Sequence, residues 1–218
     1  MSRVCDGAAR GRLDDEVSRA QKAIKILTAL ESVLGANLTH LTCLDVGSSF
    51  GLVAKHLAPR FRYTLGVEYE LEAIREAGKW ATERLLFLRG DGHRLPIQDE
   101  AVDVEVCTQV YEHVADDRAL FAEIERVLVP GGVCFFSGPN RLYPMERHYR
   151  LPIVHWLPDA WASRLLRALG RAEGLNVHSA TLWTLRRRLR AFEVQDFTVA
   201  MLQNPDRYSC RAQMGRLG

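Results

Sequence analysis

LDVGSSFG, residues 44–51, turns an apolar run into a turn bounded by Gly47 and Gly51. Read outward, it is the first joint of a strand–turn–helix unit. LTCLDV (41–46) is a short buried strand, and LVAKHLA after Gly51 opens a helix that Pro59 ends. The alternation then repeats. YTLGVE (63–68) reads as a strand and LEAIREAGKWATE as a helix with Leu71, Ile74, Ala77 and Trp80 on one face. LLFLRGD (85–91) and VDVEVCTQV (102–110) read as strands. DRALFAEIERVLV reads as a helix with Leu120, Ile124, Val127 and Leu128 inward, and VCFFSGPN (133–140) as a fifth strand. Strands alternating with helical periods predict an α/β fold: a Rossmann-like, doubly wound, mostly parallel sheet with helices on both faces.

Upstream, Leu13, Val17, Ala20, Ile24, Leu27 and Leu34 recur at helical spacing, so residues 12–34 are expected to form a helix. Gly35 and Asn37 are stop signals. Downstream of Asn140 the composition changes. Residues 141–190 hold ten arginines against three acids, a net +7, which leaves −5 for the rest of a chain whose total is +2. The same segment carries Trp156, Trp161 and Trp183. FEVQDFTVAML (192–202) returns to strand-like alternation. The expected organisation is an N-terminal helix over 1–40, a ligand-binding core over 41–140 and an arginine-rich cap over 141–218 completing the same domain.

The bulk properties agree with one soluble globular domain of 218 residues, 47% hydrophobic and 26% charged. The five cysteines make no CxxC pair, so neither a disulfide framework nor a metal site is expected. Cys43, Cys107 and Cys134 sit in apolar runs, as small core residues do. No apolar leader or spanning segment is visible, and a reduced, cytoplasmic setting is the expectation.

An open parallel sheet binds ligands outside the carboxyl ends of its strands, where the strand order reverses. There Gly47 and Gly51 let the backbone approach closely, and Ser48 and Ser49 add hydroxyls. Asp45 can fix the turn or accept from an ammonium. Glu68, about twenty residues past the glycines, can accept from two ribose hydroxyls. In GDGH (90–93), Asp91 can accept from an exocyclic adenine amine and Gly92 leaves room for the ring. In QVYEHV (109–114), Gln109, Tyr111, Glu112 and His113 stand where the reactive end of a ligand would lie, with His113 a candidate base. Each mark taken singly has a bland alternative: a plain βα turn, a solvated acid, an Asp-Gly turn, a histidine bonded to its own loop. Four strand ends in order, each with a suitable residue, make the signal.

With those residues in view, the chain resembles the class I S-adenosylmethionine-dependent methyltransferases, particularly the type 11 methyltransferase domain. The resemblance covers roughly residues 40–140. It rests on LDVGSSFG, LGVEYE, GDGHRLPIQDEAVDVEVC, QVYEHV and LVPGGVCFFSGPN. It implies that S-adenosylmethionine is the cofactor, with the glycine loop against its methionine moiety. It implies Glu68 on the ribose with Tyr69 beside it, and Asp91, Gly92 and His93 around the adenine. Ser49 departs from the pattern, since many relatives have glycine there. The activity so implied is methyl transfer to oxygen, nitrogen or carbon of an acceptor. A nicotinamide oxidoreductase is the alternative enzyme, disfavoured because the turn lacks GxGxxG. A non-catalytic binding subunit of the same fold is the alternative outside enzymology.

The acceptor is expected against the segment after the fifth strand. Arg147, His148, Tyr149 and Arg150 lie there, and His148 is the second candidate base. RRRLR (186–190) suits phosphates, but a pI near 8.3 is below that of a nucleic-acid-binding domain. A small-molecule, saccharide or lipid-linked acceptor bearing an anionic group fits the arginines better, with at most peripheral membrane contact.

Overall fold

The computed structural model describes residues 3–146, 149, 151–175 and 177–211, with side chains from Glu16 onward. Five strands form one parallel sheet in the order β3-β2-β1-β4-β5. They are β1 (Thr42–Val46), β2 (Tyr63–Glu68), β3 (Leu85–Arg89), β4 (Val102–Thr108) and β5 (Leu128–Ser137). Between them run α2 (Leu52–Leu57), α3 (Leu71–Ala77) and α4 (Asp117–Val127), and α1 (Arg3–Leu34) precedes the sheet. The doubly wound α/β sheet expected from the strand–helix alternation is therefore present. The order reverses between β1 and β4, so the ligand-binding crevice of such a sheet falls at the carboxyl ends of those two strands.

One apolar layer joins α1 and α2 to the sheet through Ile26, Leu30, Val53, Leu57, Val104 and Val106. On the opposite face Leu120, Phe121, Ile124 and Val127 of α4 pack on Leu44, Val46, Val102 and Cys107. The α4 positions expected to point inward, Leu120, Ile124, Val127 and Leu128, are all buried. Asp116 caps α4, its carboxylate accepting from the Arg118 and Ala119 amides.

The helix faces read from the sequence hold in part: Ala77 is buried and Leu27 and Leu34 pack on the core, Leu13 lies outside the described side chains, and other positions differ. In α1 the buried positions are Ala23, Ile26, Ala29 and Leu30, whereas Val17 and Ile24 are exposed. In α3 the buried residues are Ala73 and Ala77, and Leu71 is exposed. Alanine carries little hydrophobic signal, but it permits close approach of a helix to a sheet, and that approach sets the helix rotation.

The cap is built from a two-strand antiparallel pair, β6 (Met145–Glu146) with β7 (Leu151–Pro152), then α5 (Asp159–Ala168), α6 (Leu182–Arg188) and α7 (Thr198–Gln203). Its own small core gathers Tyr149, Val154, Ala162, Leu166 and Val177. Residues 192–202 form no strand: an irregular stretch leads into α7. Phe197, Ala200 and Met201 pack with Ala29, Tyr208 and Cys210 near the sheet edge. Val194, Val199 and Leu202, further apolar residues of that alternation, are exposed.

Candidate cofactor site at the carboxyl edge of the sheet

β1 ends at Val46, and the next residues turn sharply. Gly47 and Ser48 both donate their amides to the Val67 carbonyl, at 2.8 and 3.0 Å, so the turn is pinned to β2. Three residues take left-handed backbone angles: Gly47 (φ 69°), Ser49 (φ 50°) and Gly51 (φ 75°). A Cβ on Gly47 would sit 2.5 Å from Val110 Cγ2, and one on Gly51 would sit 2.7 Å from the Phe87 ring. Both glycines are thus demanded by the fold itself, before any ligand approaches. Ser49 holds the same backbone region with a side chain, which is why glycine is easy at this position.

Glu68 is built into the turn. One carboxylate oxygen accepts from the Ser49 amide at 2.8 Å and the other from the Glu70 amide at 2.9 Å. Each oxygen retains a further lone pair. Tyr69 beside it is exposed, with Arg89 donating to its carbonyl.

Asp45 is 2% exposed, and its Oδ2 is buried with no hydrogen-bond partner, as is Ser48 Oγ. Burial pushes the Asp45 carboxyl up to about 7; Lys22 opposes that rise and Glu68 adds to it. Burial likewise lowers the Lys22 ammonium, with Asp45 and Glu112 working against the fall. The groups of α1 therefore reach the sheet edge. Arg19 joins Ser48, Ser49, Phe50, Leu52 and Val53 around a small depression above the turn. Arg19 and Lys22 were not among the residues expected here. No local signal marks them, because only the packing of α1 across α2 brings them to the turn.

At the next strand end, Asp91 accepts from the His93 amide at 2.9 Å and pairs with His93 Nδ1 at 2.7 Å. The His93 amide, more than its ring, holds the Asp91 carboxyl below its usual value. His93 Nε2 accepts from the Asp116 amide at 3.3 Å. That assigns the ring proton to Nδ1 and ties the β3 loop to the cap of α4. Gly92 faces Leu120, 3.1 Å from where its Cβ would be.

On the other side of β1, Gln109 takes φ 60° and donates its amide to the Ser137 carbonyl at 2.8 Å. Tyr111 is buried: its hydroxyl donates to the Pro139 carbonyl and accepts from the Ala180 amide at 3.1 Å. Burial pushes that phenol up to about 12, so it serves as a structural tie. Glu112 is also buried, while His113 is exposed on the turn, its amide donating to Val110. His148, with Arg147 and Arg150, lies outside the described residues.

The strand order sets Asp91, Glu68, Asp45 and Gln109 along one edge in that sequence. The donor set suits an adenosyl amino acid. An orphaned carboxylate oxygen stands ready for an ammonium, and Arg19 borders the same turn. A carboxylate with spare lone pairs is available to a diol, and an exposed carboxylate to an amine.

Residues 44–136 match the family model described as "Methyltransferase domain". An uncharacterized methyltransferase of Mycolicibacterium vanbaalenii is 30% identical over 72% of this chain and 62% of its own length. Another, of Mycobacteroides abscessus, is 31% identical over 66% of this chain and 58% of its own length. The chain thus spans about three fifths of these curated relatives. Among solved structures, an S-adenosylmethionine-dependent methyltransferase of Mesorhizobium loti superposes with a TM-score of 0.59. That alignment covers 82% of this chain and 88% of that one at 18% identity, a likeness of fold.

Proposed function

We propose that this chain, whose residues 44–136 belong to the methyltransferase domain family with S-adenosylmethionine as its cofactor, transfers a methyl group to oxygen, nitrogen or carbon of a small, saccharide or lipid-linked acceptor. One observation carries the reading: Asp45, with its buried unpartnered oxygen, stands beside the glycine turn between Glu68 and the switch to β4. A plain βα turn has no use for a buried carboxylate that keeps one oxygen without a hydrogen bond.

When bound, the cofactor supplies a methyl group already activated on a sulfonium. The residues then have positioning work. Asp45 accepts from the ammonium, and Arg19 meets the carboxylate above Ser48 and Ser49. Glu68 offers its spare lone pairs to the ribose diol while its amide bonds keep it aimed, with Tyr69 alongside. Asp91, oriented by His93, accepts from the adenine amine, and Gly92 leaves room for the ring. Gln109 borders the reactive end. Lys22 keeps Asp45 from standing as an isolated buried charge. Held alignment of this kind contributes several kcal/mol to a transfer step. His113 is the candidate base for an acceptor that must lose a proton, and His148 the second; an ionised acceptor needs neither. Residues 1–40 and 141–218 would frame the acceptor around the 41–140 core, and the cap's arginines favour an anionic group on it.

Calorimetry on the purified chain tests the cofactor half of this reading. S-adenosylmethionine and its demethylated product should bind and NAD should not. Glu68→Gln should weaken cofactor binding by about tenfold or more, the scale of a lost charge-assisted hydrogen bond. Unchanged affinity in a variant with unchanged melting rejects the ribose assignment. Tighter binding of NAD moves the chain to the oxidoreductases.

A further inference from the structure

The cap leaves in water what the core buries. Among the described residues, thirteen of the twenty-two exposed large hydrophobics lie beyond residue 140. Three of the chain's four tryptophans are there, with Trp161 71% and Trp183 70% exposed. Such exposure of the largest apolar side chains marks an interaction surface.

The placement is ordered. In α5, Ala162 and Leu166 face the cap's own core. Trp161, Leu165 and Leu169, four residues apart, make a second row that faces solvent. Arg164 borders this row, about 60° from Trp161 around the helix. Arg167 and Arg171 follow, also exposed. In α6 the pattern recurs. Leu185 is buried, Leu182 and Trp183 are exposed, and exposed Arg186 and Arg187 stand three and four residues after Trp183. Each helix thus carries an inward apolar stripe, an outward apolar row headed by tryptophan, and arginines flanking that row.

We propose that α5 and α6 dock this protein on an anionic lipid bilayer. Trp161, Leu165 and Trp183 enter the boundary between headgroups and acyl chains, and Arg164, Arg186 and Arg187 meet lipid phosphates. The chemistry follows from the composition. Tryptophan favours the water–membrane interface, where its ring is apolar and its N–H stays wet. Arginine extends its stem along apolar surface and holds its charge in the headgroup layer. The segment's net +7 against −5 elsewhere orients the cap toward negative charge. Single-stranded RNA also takes arginine and tryptophan, but by base stacking. The exposed aliphatic residues Leu165, Leu169 and Leu182 have no role in stacking, and they favour lipid. Among the described residues no helix is long and apolar enough to cross a membrane, so the contact is with one leaflet. This inference is independent of the methyl-transfer reading.

The test is co-sedimentation of the full chain with vesicles of phosphatidylcholine alone and of phosphatidylcholine with phosphatidylglycerol. The protein should sediment with the anionic vesicles, shift its tryptophan emission to the blue, and stay in solution with the neutral ones. Trp161→Ser with Leu165→Ser should lower partitioning at least tenfold with an unchanged melting temperature. Arg186→Gln with Arg187→Gln should lower it about fivefold per arginine, and only on anionic vesicles. Absence of sedimentation overturns the proposal. So does equal partitioning by the Trp161/Leu165 variant, or binding of a single-stranded RNA oligonucleotide without vesicle binding.

Discussion

The sheet and the cap solve opposite problems. The sheet buries charge: Asp45, Glu105 and Glu112 are all hidden at or near its carboxyl half. The cap exposes apolar surface and spreads arginines over it. A buried carboxylate is costly unless something answers it, and an exposed tryptophan is idle unless something covers it. Each region therefore looks incomplete for a different reason. At the sheet edge Lys22 only partly answers Asp45, and on the cap Trp161 and Trp183 stay in water.

Glu105 gives the largest lever on that contrast. It is fully buried in β4, both oxygens lack partners, and burial, with Glu123 adding, pushes it up to about 8. A raised carboxyl keeps its proton in the folded state after the unfolded chain has lost it. The contribution of Glu105 to stability is therefore greatest below pH 4.5, the ordinary value, and falls as pH rises until about pH 8. The slope approaches 1.4 kcal/mol per pH unit for a full proton. Asp45 adds to the fall up to about pH 7. Glu105→Met should flatten the profile between pH 5 and 9 in thermal melts and leave the cap's vesicle binding untouched. An unaltered profile would show that Glu105 is answered in solution.

Tyr111 joins the two regions, since its hydroxyl ties Pro139 and Ala180 to the end of β4. Tyr111→Phe leaves a carbonyl and an amide without that partner and should cost about 2 kcal/mol. Hydrogen exchange should quicken around residues 177–181 while β1 and β4 stay protected. Uniform loosening of the sheet would mean that sheet and cap open as one unit.

Ser49 is the smallest lever. Ser49→Gly relieves a positive φ and should add up to about 1 kcal/mol by denaturant unfolding, with cofactor affinity kept. A loss of stability would place a specific demand on the serine hydroxyl.

Much of the sheet was legible because its signals are local. LTCLDV, YTLGVE and LLFLR announce strands by their apolar runs, and observed β1, β2 and β3 begin within a residue of those readings. The glycine turn was equally plain, although its reason shifted: Val110 and Phe87 exclude a Cβ at Gly47 and Gly51. Residues 192–202 misled, because Phe197, Ala200 and Met201 within them stand at the i, i+3, i+4 spacing of one helix face and pack as such. Tyr111 stood where a ligand was expected, yet packing made it a tie between strand and cap.

Strand positions, glycine conformation and the order of acids along one edge follow from sequence alone, since backbone sterics and side-chain period act over a few residues. The arrival of Arg19 and Lys22 above that edge, the capture of Glu68 by backbone amides and the outward turn of Trp161 were decided by tertiary packing. They depend on which helix face meets the sheet, and that is settled by contacts between residues far apart in the chain.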